Sequence, residues 1–235
     1  MTVFQEKNLI VPSAKEMWAA MGCWVLDLIA LPLLFSLFPF FREDSLRAQF
    51  LYDLSITVCS FIIILFCFRK FLFRSRLPFN LLALTCLFGF LGARGLEAFC
   101  GIFLSFFVSF LPEDALNMNQ ELVNSFLESY SLPMIINVAL LTPFIEELLF
   151  RGSLFGPMCK KSPFLAYIVS MILFAGLHVV SFIGIQHWSV LLFSFVQYLP
   201  AGFVLGWCYQ RSHSIWPPIV LHGLLNLFSS FMILA

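Results

Sequence analysis

Residues 61–68 read FIIILFCF. A strand with one buried face alternates apolar and polar side chains, and a membrane barrel strand does the same over segments of about ten residues. Here the chain is apolar in every direction. A backbone surrounded by hydrocarbon must satisfy its own hydrogen bonds, which a helix does internally. The rest of the chain extends that reading. Of its 235 residues, 61% are hydrophobic and 11% are charged. A soluble domain carries about 25% charged residues, so this chain has too few to cover a water-facing surface. The fold class is all-α, a polytopic integral membrane protein.

Hydropathy gives about seven membrane segments, at 18–41, 50–68, 79–111, 132–152, 163–185, 189–210 and 214–234. The third is too long for one straight crossing of a ~30 Å core. It must tilt, extend out of the membrane, or break near Gly89, Gly92 and Gly95, and a break would make eight spans. The first residues, MTVFQEKNLIVPSAKEM, are mixed polar, and the apolar run after them is long enough to stay as a helix rather than act as a cleaved signal. Seven spans place Lys7, Lys15, Arg69, Lys70, Arg74, Arg76, Lys160, Lys161 and Arg211 at one membrane face. The opposite face holds Arg42 and Arg47, and its long loop carries Glu113, Asp114, Glu121 and Glu128. The positive-inside rule then predicts a cytoplasmic N-terminus. Net charge is zero and no long basic run exists, so the partner environment is the lipid bilayer and not nucleic acid. The seven cysteines form no C-x-x-C pair and read as small core or lipid-facing residues.

Against this background the polar residues stand out, because an ionised side chain near the bilayer centre costs ~2.5–3.5 kcal/mol on insertion scales. Glu146, Glu147 and Arg151 cluster in TPFIEELLFRG (142–152), His178 lies in LFAGLHVV, and His222 and Asn226 lie in PPIVLHGLLNLF. Glu147 and Arg151 are four apart and can pair on one helix face. Glu146 is rotated from Glu147 by about 100° and is free to face something else. His222 and Asn226 also share a face. Taken singly, each group has a structural reading as an ion cluster or as interhelical hydrogen bonding. Together they bring carboxylate, imidazole and amide from three helices, which suits hydrolysis: a carboxylate and a His can hold and deprotonate water, and a His and an Asn can donate to an oxyanion. Arg94 with Glu97, and Asp27, read as structural. Gly202 and Gly206 make a small-xxx-small face for close helix packing.

The ordered set Glu146-Glu147-Leu148-Leu149-Phe150-Arg151, Phe174-Ala175-Gly176-Leu177-His178 and His222-Gly223-Leu224-Leu225-Asn226 resembles the CPBP family of intramembrane proteases. This is the CAAX-protease and bacteriocin-processing family, which includes the Rce1-like prenyl-protein proteases. The resemblance divides the chain into variable N-terminal membrane segments (1–131) and a CPBP-like catalytic helical core (132–235). It implies an intramembrane endopeptidase. Glu146 would activate the water with His178 as its partner, Glu147 and Arg151 would position that helix, and His222 with Asn226 would form the oxyanion hole. The implied substrate is a membrane-associated protein or peptide, lipidated ones included. No cofactor is favoured. Zinc held by Glu146, His178 and His222 is the alternative, and it would draw one ligand from each of three helices with no close-spaced pair among them. The competing reading of the whole chain is a non-enzymatic membrane scaffold or immunity-type factor on the same fold. Signatures of other intramembrane proteases (H-E-x-x-H, G-x-S-G, G-x-G-D) are missing.

Overall fold

Ser13 starts the first helix: its hydroxyl accepts from the Glu16 N–H at 3.4 Å while Glu16 Oε2 accepts from the Ser13 N–H at 2.7 Å. This reciprocal box satisfies two of the donors that a helix start leaves open. The structure, a computed structural model, describes residues 9–112 and 117–234; Lys7, Glu113 and Asp114 of the loop-charge pattern lie outside them. The helices are α1 (Ala14–Ser36), α2 (Leu46–Arg74), α3 (Phe79–Ser105), α4 (Met118–Ser129), α5 (Ser131–Cys159), α6 (Pro163–Val180), α7 (Trp188–Ser212) and α8 (Trp216–Leu234). All except α4 are long and apolar enough to cross a bilayer, giving seven candidate spans. The third segment runs unbroken past Gly89, Gly92 and Gly95 as α3, about 40 Å long at 1.5 Å per residue, and ends at Ser105. No strand occurs among the described residues.

Large apolar side chains such as Trp18, Leu33, Phe66, Phe79, Phe99 and Phe164 point outward. An apolar patch of this extent drives association in water; in lipid it is the ordinary surface of the bundle. The spans alternate in direction, so the ends of α2, α5 and α7 meet the starts of α1, α3, α6 and α8 at one face. That face is closed by apolar packing and hydrogen bonds. Phe68, Phe71, Leu148, Phe155, Tyr209 and Ile215 are fully buried there. Ser214 Oγ donates to the Ser75 carbonyl, the Ile215 N–H donates to Ser75 Oγ at 2.8 Å, and Trp216 Nε1 donates to the Leu72 carbonyl at 3.1 Å. An ion pair of 2.7 Å joins Arg74 to Glu16. The polar groups read as structural find partners: Arg94 pairs with Glu97 at 2.5 Å, though its buried Nε has no hydrogen bond, and Asp27 accepts from Ser60 Oγ on α2 at 2.5 Å.

Proline breaks in the hydrogen-bond ladder shape the other half. In α5 a π-turn spans Asn137–Leu141, and the Thr142 N–H reaches back to the Asn137 carbonyl. Residue 143 is proline and has no N–H. The Val138 carbonyl therefore loses both the donor four residues ahead and the one five ahead. Widened turns of this kind concentrate at functional sites. Close approach by α8 then becomes possible only because residue 223 is glycine: a Cβ there would lie 2.3 Å from the Ala139 carbonyl oxygen. On α7, a Cβ at Gly202 would come within 3.3 Å of the Met171 backbone, so the small-xxx-small face does seat α7 against α6.

Candidate active site

α5, α6 and α8 bring their polar residues together near the middle of the bundle. Glu147 and Arg151 form the expected ion pair, Nη1 to Oε1 3.1 Å, with both side chains 0% exposed. The guanidinium is held from two further sides. Nη2 donates to the Gly202 carbonyl at 3.2 Å, and the charge lies 4.4 Å from the centre of the Phe174 ring. Burying such a pair is tolerable only when hydrogen bonds of this kind accompany the Coulomb attraction.

Sequence reasoning missed the other partner of Glu147. His222 Nδ1 lies 2.8 Å from Glu147 Oε1. An ionised carboxylate only accepts, so the network assigns the proton to Nδ1. His222 Nε2 then faces Glu146, 3.9 Å from its Oε2. Glu147 is thus shared between a structural cation and the ring that the family motif places in the site. Glu146 differs in exposure: it is 23% exposed, at a cavity, whereas Glu147 is 0% exposed, and a buried Oε2 on each has no hydrogen-bond partner.

His178 is fixed at the end of α6. Its Nδ1 lies 2.8 Å from the Phe174 carbonyl, one turn back, and a carbonyl likewise makes Nδ1 the donor. Its ring stacks on Tyr198 of α7 with centroids 4.2 Å apart. Asn226 uses the carbonyl freed by Pro143: Nδ2 donates to Val138 at 2.7 Å. That bond consumes one amide N–H and leaves the second available.

Glu146, His178, His222 and Asn226 all line one cavity of about 310 Å³, which Asn119 and Gln120 of α4, Asn137, Thr142, Tyr198 and Ser229 also border. A second cavity of about 400 Å³ adjoins it, sharing His178, Tyr198, His222 and Asn226 and reaching Arg94 and Glu97. Arg151 and Glu147 line neither and form the floor. Tyr198 and Asn119 belong to the site but not to the motifs; Asn119 Nδ2 donates to the Tyr198 hydroxyl at 2.9 Å. The available signal was the polar pair Gln197-Tyr198 in an otherwise apolar span. Among the described residues no three His, Cys, Asp or Glu side chains converge closely enough to hold a metal ion. Glu146, His178 and His222 therefore do not form a ready three-ligand set in this arrangement.

Comparison with known proteins covers this same region. Residues 128–228 match the family model described as "Type II CAAX prenyl endopeptidase Rce1-like". The protein named "Putative membrane peptidase YdiL" of Bacillus subtilis (strain 168) is 33% identical over 99 residues, 42% of this chain and 36% of that protein. Two proteins of Lactococcus lactis subsp. lactis (strain IL1403) also match. "UPF0177 protein YxdF" is 31% identical over 91 residues, 39% of this chain and 45% of that protein. "UPF0177 protein YbdI" is 29% identical over 124 residues, 52% of this chain and 61% of that protein. The chain thus spans between about a third and three fifths of the length of these relatives. No solved structure matches it.

Proposed function

Residues 128–228 match the Rce1-like family model, and from that match we propose that the chain is an intramembrane endopeptidase of the CPBP type using glutamate-activated water. The observation that carries the reading is the exposure of Glu146 at a cavity wall, its Oε2 3.9 Å from His222 Nε2, while the adjacent Glu147 is sealed from the cavity and paired with Arg151.

The chemistry follows from which atoms can accept and which can donate. With its Nδ1–H committed to Phe174, neutral His178 offers a bare Nε2. A water between that nitrogen and the Glu146 carboxylate donates one hydrogen to each and turns an oxygen lone pair toward a substrate carbonyl. On attack Glu146 takes the proton, a step in which a placed base contributes ~10²–10⁴-fold. The oxyanion accepts from the second N–H of Asn226 and from His222 Nε2 when that nitrogen carries a proton. Each such donor is worth ~10²–10³ in rate. The proton then passes to the leaving nitrogen from Glu146, directly or through His222 at 3.9 Å. Bond breaking and making balance as hydrolysis: water adds across the amide, giving a carboxylate and an amine.

This mechanism needs no metal, and zinc on Glu146, His178 and His222 is its rival. Elemental analysis of active, chelator-treated protein separates them. Stoichiometric zinc whose removal abolishes activity and whose return restores it would move both histidines to the ligand set. The substrate class is a membrane-associated protein or peptide. Comparison of peptides and protein termini in membranes holding wild-type or Glu146→Gln protein tests the function. The wild type should generate new termini, and the variant should retain the corresponding uncut substrates. Identical terminomes would sink the protease reading. For orientation, the basic loops argue for a cytoplasmic N-terminus.

A further inference from the structure

We infer that the cavity opens only at the membrane face opposite the basic loops, so that the scissile bond reaches it from the non-cytoplasmic side. The inference joins cavity position with charge position, each read along the same helices.

The cavity residues fall toward one end of every span that contributes. On α5 they run from Met134 to Glu146, the first half of that helix. On α6 they are Phe174, Leu177 and His178, near its end, and on α7 they run from Gln197 to Ala201, about its midpoint, with none nearer its end at the basic face. On α8 they run from His222 to Ile233, toward its end. Helix α4 lies in the connection at that same face and borders both cavities through Gln120. Nothing from 147–165 or 204–220 lines either cavity. Toward the other face the route is shut. Glu147 and Arg151 have no exposed surface, and Leu148, Phe155, Tyr209 and Ile215 are fully buried in the closed half. The Ser75, Ser214, Ile215 and Trp216 hydrogen bonds tie the helix ends together there.

The closed face is also the basic face. Among the described residues it carries Lys15, Arg69, Lys70, Arg74, Arg76, Lys160, Lys161 and Arg211, whereas the open face carries only Arg42 and Arg47. Arg94 and Arg151 lie within the bundle and do not enter the comparison. Short loops rich in Lys and Arg stay in the cytoplasm. The open face, with Glu43, Asp44, Glu121 and Glu128, is then the translocated one. The substrate class narrows to translocated or membrane-anchored polypeptides whose cleavage segment lies beyond the cytoplasmic leaflet. A lipidated C-terminus confined to the cytosol would meet the sealed floor. This specification of substrate rests on the protease reading; the sidedness does not.

Sided cysteine modification tests it without any assay of turnover. On a background lacking the native cysteines, Ser229→Cys and Gln120→Cys probe the cavity, Asp44→Cys the open face outside it, and Lys161→Cys the basic face. The probe is a small, permanently charged methanethiosulfonate applied to sealed vesicles of either orientation. Asp44→Cys and at least one cavity cysteine should react at least tenfold faster in right-side-out vesicles, and Lys161→Cys at least tenfold faster in inside-out vesicles. Cavity cysteines that react together with Lys161→Cys would overturn the inference, as would cavity cysteines protected in both orientations while Asp44→Cys reacts. Loss of the protease reading would show instead as unchanged terminomes with the labelling pattern intact.

Discussion

The two halves of the bundle treat adjacent glutamates in opposite ways. In the closed half, Glu147 is met by Arg151 at 3.1 Å and His222 at 2.8 Å, and the Arg is met in turn by the Gly202 carbonyl and the Phe174 ring. In the open half, Glu146 borders a cavity, and although each glutamate leaves one buried oxygen unpartnered, only Glu146 lies beside open space. A carboxylate sealed from the cavity cannot reach a substrate. One that borders a cavity is costly to hold in the membrane but is open to a substrate. On the proposed reading the floor supplies stability and the wall supplies chemistry.

The comparison is broken most directly by exchanging one glutamate at a time. Glu146→Gln should lower turnover by ~10²-fold or more and leave the thermal midpoint in detergent within about a degree of wild type. Glu147→Gln should depress both, because Arg151 and His222 lose their shared acceptor. Matching stability and activity in the two variants would erase the distinction between floor and wall.

Next in size is the floor itself. Arg151→Ala leaves Glu147 as an uncompensated buried charge, a change that costs ~3–5 kcal/mol. Combining Glu147→Gln with Arg151→Leu should restore part of that loss, since the remaining groups are neutral. Calorimetric or fluorescence melting of the single and double variants decides it, and no recovery in the double would argue that the pair is not what the floor depends on.

Gly223→Ala tests the seam between the halves. Its methyl group would meet the Ala139 carbonyl oxygen at 2.3 Å and push α8 off α5. Overpacking of this kind costs ~1–3 kcal/mol, and His222 and Asn226 should move with the helix, so activity should fall by more than the lost stability explains. A fully active, fully stable variant would show that the seam is loose.

The smallest effect belongs to His213, in the α7–α8 turn of the closed face. Its φ of 56° is left-handed, a region that Asn also tolerates. Burial, and then the positive charge of Arg211, holds its imidazole below the usual histidine value of 6.5. The unfolded chain therefore binds the proton more readily, and stability should decline as pH falls through about 6.5. Solvent screening limits the change to roughly half a kcal/mol or less. His213→Asn should flatten that slope in melts between pH 7.5 and pH 5.5; an unchanged slope would assign it to other groups.

Much of this was legible before any coordinates. Apolar runs such as 61–68 admit only membrane helices, and the Glu147–Arg151 pair follows from a spacing of four on one helix. The offset of Glu146 follows from the same geometry. The pair Gln197-Tyr198 marked a polar spot in α7, but the meeting of Tyr198 with Asn119 was not legible, because a phenol and an amide on different helices have no periodicity to announce it. Nor was the Glu147–His222 contact, which joins residues 75 apart in sequence.

By itself the sequence determined the helical class, about seven spans with the third left as one or two, and the set of expensive polar groups, because hydrocarbon penalises every unsatisfied group locally and each helix answers for its own backbone. Only the tertiary structure decided which group meets which. Pro143 frees the Val138 carbonyl, but Asn226 finds it only because Gly223 lets α8 come close. The direction in which the cavity opens is likewise a property of packed helices. It depends on where side chains from α4, α5, α6, α7 and α8 leave space and where those from α2, α5, α7 and α8 fill it, and no single segment carries that information.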